Sequence, residues 1–193
     1  MIRVTTLRPF VALLLLACAQ EGPAEESGMD TSEQTTATDT AGDEARFEAD
    51  SVEALFYAGD DPVWVLTAKA DDTWLYIENY PSFGGAEGAE TRILDGVELN
   101  YATCGVCVLV KTGCQVHGDH AHCDATFMPE AGGSVTFDDL GDDAGDSWSG
   151  SITPMRFIEV SVDSDTFETT PISDGETIEL GGWDFDVVLK AGG

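Results

Sequence analysis

Trp183-Asp184-Phe185-Asp186-Val187-Val188-Leu189-Lys190 decides the fold class. Trp183, Phe185, Val187 and Leu189 fall on one side of an extended chain, and Asp184, Asp186 and Lys190 on the other. Successive side chains of a strand point to opposite faces, so this period of two predicts a strand with one apolar face. Working back along the chain, the pattern recurs. Residues 156–162 place Ile158, Val160 and Val162 together, Trp148, Gly150 and Ile152 share a face, and residues 134–138 turn Val135 and Phe137 inward. Further strands are expected at residues 51–57, 63–68, 73–79, 91–94, 97–101, 106–111 and 124–128. Asp71-Asp72 and Asp95-Gly96 read as tight turns, and Pro81-Ser82-Phe83-Gly84-Gly85 as a chain break. No long stretch shows a 3.6-residue period.

Short strands spaced by about 8–12 residues predict an all-β domain over residues 47–193. The expected architecture is an antiparallel β-sandwich of about eight to ten strands, with a closed β-barrel around a ligand cavity as the alternative. A chain of this size buries about two-thirds of its surface in one core, and Trp148 and Trp183 are expected there.

The opening of the chain is different in kind. Arg3 and Arg8 precede Phe10-Val11-Ala12-Leu13-Leu14-Leu15-Leu16-Ala17, an apolar run of a length that suits a secretory signal and falls short of the roughly 20 residues a membrane span needs. Leu15-Leu16-Ala17-Cys18 resembles the bacterial lipobox. The resemblance implies that residues 1–17 are a cleaved signal peptide. It also implies that the Cys18 sulfur carries a diacylglyceryl group and that the new amine is acylated, typically with palmitate. Three chains at about 0.8 kcal/mol per buried CH₂ make such an anchor effectively permanent. The expected location is extracytoplasmic and membrane-anchored, and Ala19 after the cysteine is compatible with the outer membrane.

Loss of residues 1–17 leaves six basic residues against 37 acids. Such a surface excludes nucleic acid as a partner, since phosphate contacts require basic patches. The partners expected are the membrane, through the lipid, and a protein or glycan outside the cell. Residues 18–46 comprise the lipidated cysteine and a segment with eight acids, one base and no aromatic residue. That composition predicts a disordered linker reaching on the order of 30 Å.

Four cysteines remain once Cys18 is committed to lipid, and an even number in an oxidising compartment predicts two disulfides. Three pairings are possible. A hairpin between residues 106–113 and 124–128 would face Cys114 toward Cys123 and leave Cys104 with Cys107, which is the pairing expected. Cys104-Gly105-Val106-Cys107 is a C-x-x-C, but it runs on into Val108-Leu109-Val110, a strand pattern rather than the helix that lowers a redox thiol's pKa. A zinc site from the four cysteines would require reduced thiols.

All three histidines, His117, His120 and His122, lie between Cys114 and Cys123. Imidazole is a ready ligand for Zn²⁺ or Cu²⁺, so this loop is the candidate metal site, set against a plain solvated loop. Asp138-Asp139-Leu140-Gly141-Asp142-Asp143-Ala144-Gly145-Asp146 does not match the EF-hand spacing and reads as an acidic hairpin turn.

The order Tyr101-Ala102-Thr103-Cys104-Gly105-Val106-Cys107, then Cys114, Cys123, Gly132-Gly133-Ser134, Trp148-Ser149-Gly150 and Phe167-Glu168-Thr169-Thr170-Pro171 resembles a group of uncharacterised cysteine-containing lipoproteins and secreted proteins of myxobacteria. The likeness spans residues 90–180 and implies a shared β domain, with no activity attached. Gly145-Asp146-Ser147 resembles the first block of GDS-type hydrolases, yet those are α/β enzymes with a late histidine, and none follows His122. G-x-S-x-G, P-loop, G-x-G-x-x-G and H-E-x-x-H motifs are absent. No catalytic residue is assigned. The function expected is non-enzymatic binding by an anchored β domain, with a metal-binding lipoprotein and a hydrolase as the alternatives.

Overall fold

The computed structural model describes residues 46–118 and 120–193. The signal peptide, Cys18 and nearly all of the linker therefore lie outside the described residues, as does Asp119 of the histidine loop. The strands are β1 (Ser51–Tyr57), β2 (Val63–Ala70), β3 (Thr73–Asn79), β4 (Glu90–Leu94), β5 (Val106–Thr112), β6 (Gln115–His117), β7 (His120–His122), β8 (Ala125–Pro129), β9 (Gly133–Leu140), β10 (Ser147–Ile152), β11 (Met155–Val162), β12 (Thr169–Pro171), β13 (Thr177–Leu180) and β14 (Trp183–Ala191).

Twelve strands form one sheet in the order β12, β11, β8, β5, β3, β2, β1, β14, β10, β9, β4, with β13 also paired to β11. β6 and β7 make a separate two-stranded ribbon. The fold is all-β, but the strands lie in one curled, open sheet, a half-barrel, rather than in two separate sheets. It is not wholly antiparallel: β1 and β14 run parallel, Ala54 opposite Leu189. Residues 97–101, expected as a strand, instead contain a 3₁₀ turn at Gly96–Leu99.

The connections require the curl. β10 and β11 stand seven places apart in the sheet, which is about 34 Å along a flat sheet at roughly 4.8 Å per strand. The chain passes from Ile152 to Met155 in three Cα steps, at most about 11 Å. β8 to β9 and β13 to β14 are also separated by seven places and joined by short links. The sheet must therefore fold over on itself, and its concave face becomes the interior. Leu66, Leu75, Ile77, Val108, Phe127, Phe137, Trp148, Phe157 and Phe185 meet there in a single buried cluster. At Gly150 the facing strand comes so close that a Cβ would collide with the Thr136 carbonyl oxygen and the Phe185 ring. Glycine here permits the close approach, and β9–β10 pairing shifts register at Ser149/Gly150.

One part of the convex face is also covered. On β5, Val106, Val108 and Val110 point into the main core, while Cys107 and Leu109 point outward into a second cluster with Cys104, Met128 and Val160. Tyr76, Tyr80, Tyr101, Ile158 and Val162 pack against this cluster. Ile158, Val160 and Val162 do share a face, as their alternation predicts, and it is the outer one.

Candidate functional site

The outer cluster opens into a cleft of about 240 Å³ lined by Tyr80, Phe83, Tyr101, Ala102, Cys104 and Phe167. Three chain segments build it. The first leaves β3 at Asn79, whose buried amide donates to the Ala86 carbonyl (2.9 Å) and accepts the Ala86 N–H (2.8 Å). This clamps a loop in which Pro81–Phe83 form a 3₁₀ turn closed by Gly84 at φ 85°. Proline fixes φ at the turn's start and glycine tolerates the left-handed close. Gly85 and Gly105 touch backbone to backbone, so that a Cβ on either would strike the other segment.

The second segment is residues 100–104. The Asn100 carbonyl accepts the N–H groups of Thr103 and Cys104, both at 3.0 Å, and the Cys104–Cys107 disulfide ties the segment to β5. The third runs from β11 to β12. The Asp163 carboxylate accepts the N–H groups of Thr166 (2.8 Å) and Asp165 (3.0 Å), and these bonds hold its carboxyl below the usual range. The resulting tight turn presents Phe167 at φ 59°. Thr169 docks this segment on the second: its Oγ1 accepts the Tyr101 N–H at 2.9 Å, and its own N–H donates to Asn100 Oδ1 at 3.1 Å.

Aromatic rings line the cleft in two pairs. Tyr80 and Phe83 meet edge to face at 6.2 Å, as do Tyr101 and Phe167. Phe83 and Phe167 remain more than half exposed. Both tyrosine hydroxyls donate to one oxygen, Glu78 Oε2, at 2.7 Å from Tyr80 and 2.9 Å from Tyr101. Burial first, and the Glu78 charge second, push the Tyr101 and Tyr76 hydroxyls up to about 12 and the Tyr80 hydroxyl further. An unfolded tyrosine ionises near 10, so above that pH the unfolded chain releases protons that the folded chain retains. The stability these hydroxyls contribute is fully present below pH 10 and is lost as pH rises toward 12. A spectrophotometric phenolate titration should therefore show Tyr80 and Tyr101, identified by difference against their Phe variants, ionising only as the chain unfolds. Glu78→Gln should bring their ionisation to lower pH.

The residues singled out in the sequence lie elsewhere, apart from Cys104. Cys104 is bridged to Cys107 and Cys114 to Cys123. The stretch read as a loop between the latter two is the β6–β7 ribbon, with His117 opposite His120 and Gln115 opposite His122. Residues opposite each other, and residues two apart, share a face, so all three imidazoles leave the same side of the ribbon. All three are exposed, and among the described residues no three His, Cys, Asp or Glu side chains converge into a metal-holding group. The Asp138–Asp146 cluster forms the end of β9 and the turn into β10, where the Asp146 carboxylate accepts the Asp143 N–H at 3.1 Å.

The rings of the cleft carried one overlooked signal. Phe83 and Phe167 sit among turn-forming residues, Pro81-Ser82-Phe83-Gly84 and Asp163-Ser164-Asp165-Thr166-Phe167, where a large apolar side chain has no core to enter. No protein-family model matches this chain, and neither the curated proteins nor the solved structures contain a match to it.

Proposed function

We propose that this protein is a lipid-anchored, extracytoplasmic binding protein whose β domain takes its ligand at the aromatic cleft and catalyses no reaction. The observation that carries the binding reading is the pair of exposed rings, Phe83 and Phe167, held at 59% and 53% exposure beside a cleft. Turn backbone, glycine contacts and a disulfide fix these segments in advance, so little ordering entropy opposes binding. The anchoring reading is supported by the lipobox resemblance at Cys18 and by two disulfides, which suit an oxidising compartment. Ala19, directly after Cys18, is compatible with an outer-membrane location. The acidic linker would then hold the domain clear of the lipid surface.

Each half of the reading has its own test. The full chain expressed in a bacterium that processes lipoproteins should partition into the Triton X-114 detergent phase, and Cys18→Ser should move it to the aqueous phase. An unmodified mature terminus by mass spectrometry overturns the anchor. For the cleft, the unlipidated Cys18→Ser chain should show amide NMR shifts concentrated at residues 80–84, 101–104 and 166–168. The ligand panel would contain neutral sugars, small aromatic amides and organic cations. Shifts confined to other surfaces, or none with any class, overturn the cleft.

Metal binding is a second reading, and the shared face of His117, His120 and His122 on a disulfide-closed ribbon favours it. Calorimetry with Zn²⁺ or Cu²⁺ should give heat that disappears in the triple His→Ala variant. Equal heat in both ends this reading.

A further inference from the structure

The cleft's chemistry narrows its ligand class. Its walls are mainly carbon, and the hydroxyls of its two tyrosines, Tyr80 and Tyr101, are spent on Glu78. A sugar or peptide would bring several donors and acceptors that these walls do not answer, and an unanswered buried polar group is costly. A methylated ammonium group carries charge without N–H donors, so it needs no such partner. Ring faces attract it through their quadrupoles, and such cations are commonly bound in cages of aromatic rings.

Three further observations point to a cation. A tyrosine hydroxyl that donates to a carboxylate pushes electron density toward its ring, and both cleft tyrosines donate to Glu78 Oε2. The same outer surface of the sheet already holds cations on rings. Lys69 Nζ stands 4.0 Å from the centroid of Trp74, and Lys111 Nζ 5.1 Å from that of Tyr76. Tyr76 and Glu78 alternate along β3 and Tyr80 follows the strand's last residue, Asn79, so the cleft adjoins that row. Among the described residues no lysine or arginine stands over Tyr80 or Tyr101. The chain as a whole is strongly acidic, with 37 acids against eight bases, and that field draws cations to it.

We propose that the cleft bounded by Tyr80, Phe83, Tyr101 and Phe167, with Glu78 behind the tyrosine hydroxyls, is a cage for a quaternary ammonium head group. At roughly 30 Å³ per water-sized group, its volume holds a trimethylammonium with a short tail. This inference rests on the cleft being the binding site.

The test uses the unlipidated Cys18→Ser chain and isothermal calorimetry. The probes are tetramethylammonium, choline, and 3,3-dimethyl-1-butanol, the neutral isostere of choline. Choline should bind at least tenfold more tightly than the neutral isostere. Phe167→Leu and Phe83→Leu, both at exposed positions, should each weaken choline by about fivefold or more while circular dichroism stays unchanged. Glu78→Gln should weaken choline without strengthening the isostere. Equal affinity for choline and its isostere, or binding unaffected by both Phe→Leu changes, overturns the cage. Binding of neutral sugars or aromatic amides in the cleft without any cation overturns the cage but leaves the cleft as a site. Failure of every class removes both.

Discussion

Replacing Trp148 with alanine should lower the unfolding free energy by about 3–5 kcal/mol, the cost of emptying a large aromatic site in a packed interior. Trp148 is fully buried at the centre of the concave face. Its ring stacks on Phe137 at 6.1 Å and meets the edge of Phe185 at 5.8 Å, so it joins β9, β10 and β14. None of these neighbours can fill the space, because Gly150 already brings β9 against β10 as closely as backbone allows. Trp148→Phe should cost well under half as much. Among the described residues, the Trp148 indole N–H is the one buried side-chain polar group without a hydrogen-bond partner, so phenylalanine gives up no hydrogen bond and removes a desolvated donor. Urea unfolding followed by far-ultraviolet circular dichroism gives both values, provided the denaturant dependence is the same in each variant. A loss below about 1 kcal/mol for Trp148→Ala would mean that this ring is not packed between Phe137 and Phe185 as described.

Trp148 also shows how far the sequence can be read. Its inward direction follows from alternation with Gly150 and Ile152, a local property carried by neighbours in the chain. The inward faces of β9 and β14 are legible in the same way, whereas on β11 the alternation of Ile158, Val160 and Val162 marks a face that turns out to be the outer one. Alternation cannot report which strand lies beside which, because a period of two is the same for a sandwich, a barrel or a curled sheet. The parallel pairing of β1 with β14 joins strands at opposite ends of the folded region and leaves no local mark. β12 and β13 are three and four residues long, too short to display a period, and they are held by β11 rather than by their own pattern.

The site was less legible still. Its ring-bearing segments come from residues 80–84, 101–104 and 163–169; the Asn79 side chain holds the first in shape, and the Asn100 and Thr169 side chains join the second to the third through backbone N–H groups. Asparagine and threonine in turns are ordinary, so their presence marks nothing until the partners are known. The three histidines lie close in sequence and share one exposed face of the ribbon, yet among the described residues no three His, Cys, Asp or Glu side chains converge there.

Glu98 sits where fold and cleft meet, and Glu98→Ala should cost about 3–4 kcal/mol. Its side chain is almost fully buried. Oε2 accepts the Val106 N–H at 2.9 Å, and Oε1 accepts Arg92 Nη2 at 3.2 Å. The Val106 N–H belongs to the first residue of β5, behind the Cys104–Cys107 bridge. Removing the carboxylate leaves that donor buried without a partner, and an unsatisfied donor costs more than a bond contributes. Arg92 loses its buried partner as well, but it is partly exposed and keeps Glu90 nearby, which limits that share. Arg92 also donates to the Gly84 carbonyl, at the base of the Phe83 loop. The Arg92–Glu98 pair therefore ties the Phe83 loop to the turn that leads into Tyr101. Glu98→Gln separates the two roles. Its amide oxygen can still accept the Val106 N–H, so the stability loss should fall to about 1–2 kcal/mol, while the charge that fixes Arg92 is gone. If the pair positions the two walls, Glu98→Gln should weaken choline binding more than its modest destabilisation explains, at a temperature where the chain is fully folded. Unchanged binding in Glu98→Gln would assign the residue to the fold alone and leave the Phe83 loop held by the Asn79 amide and the glycine contact.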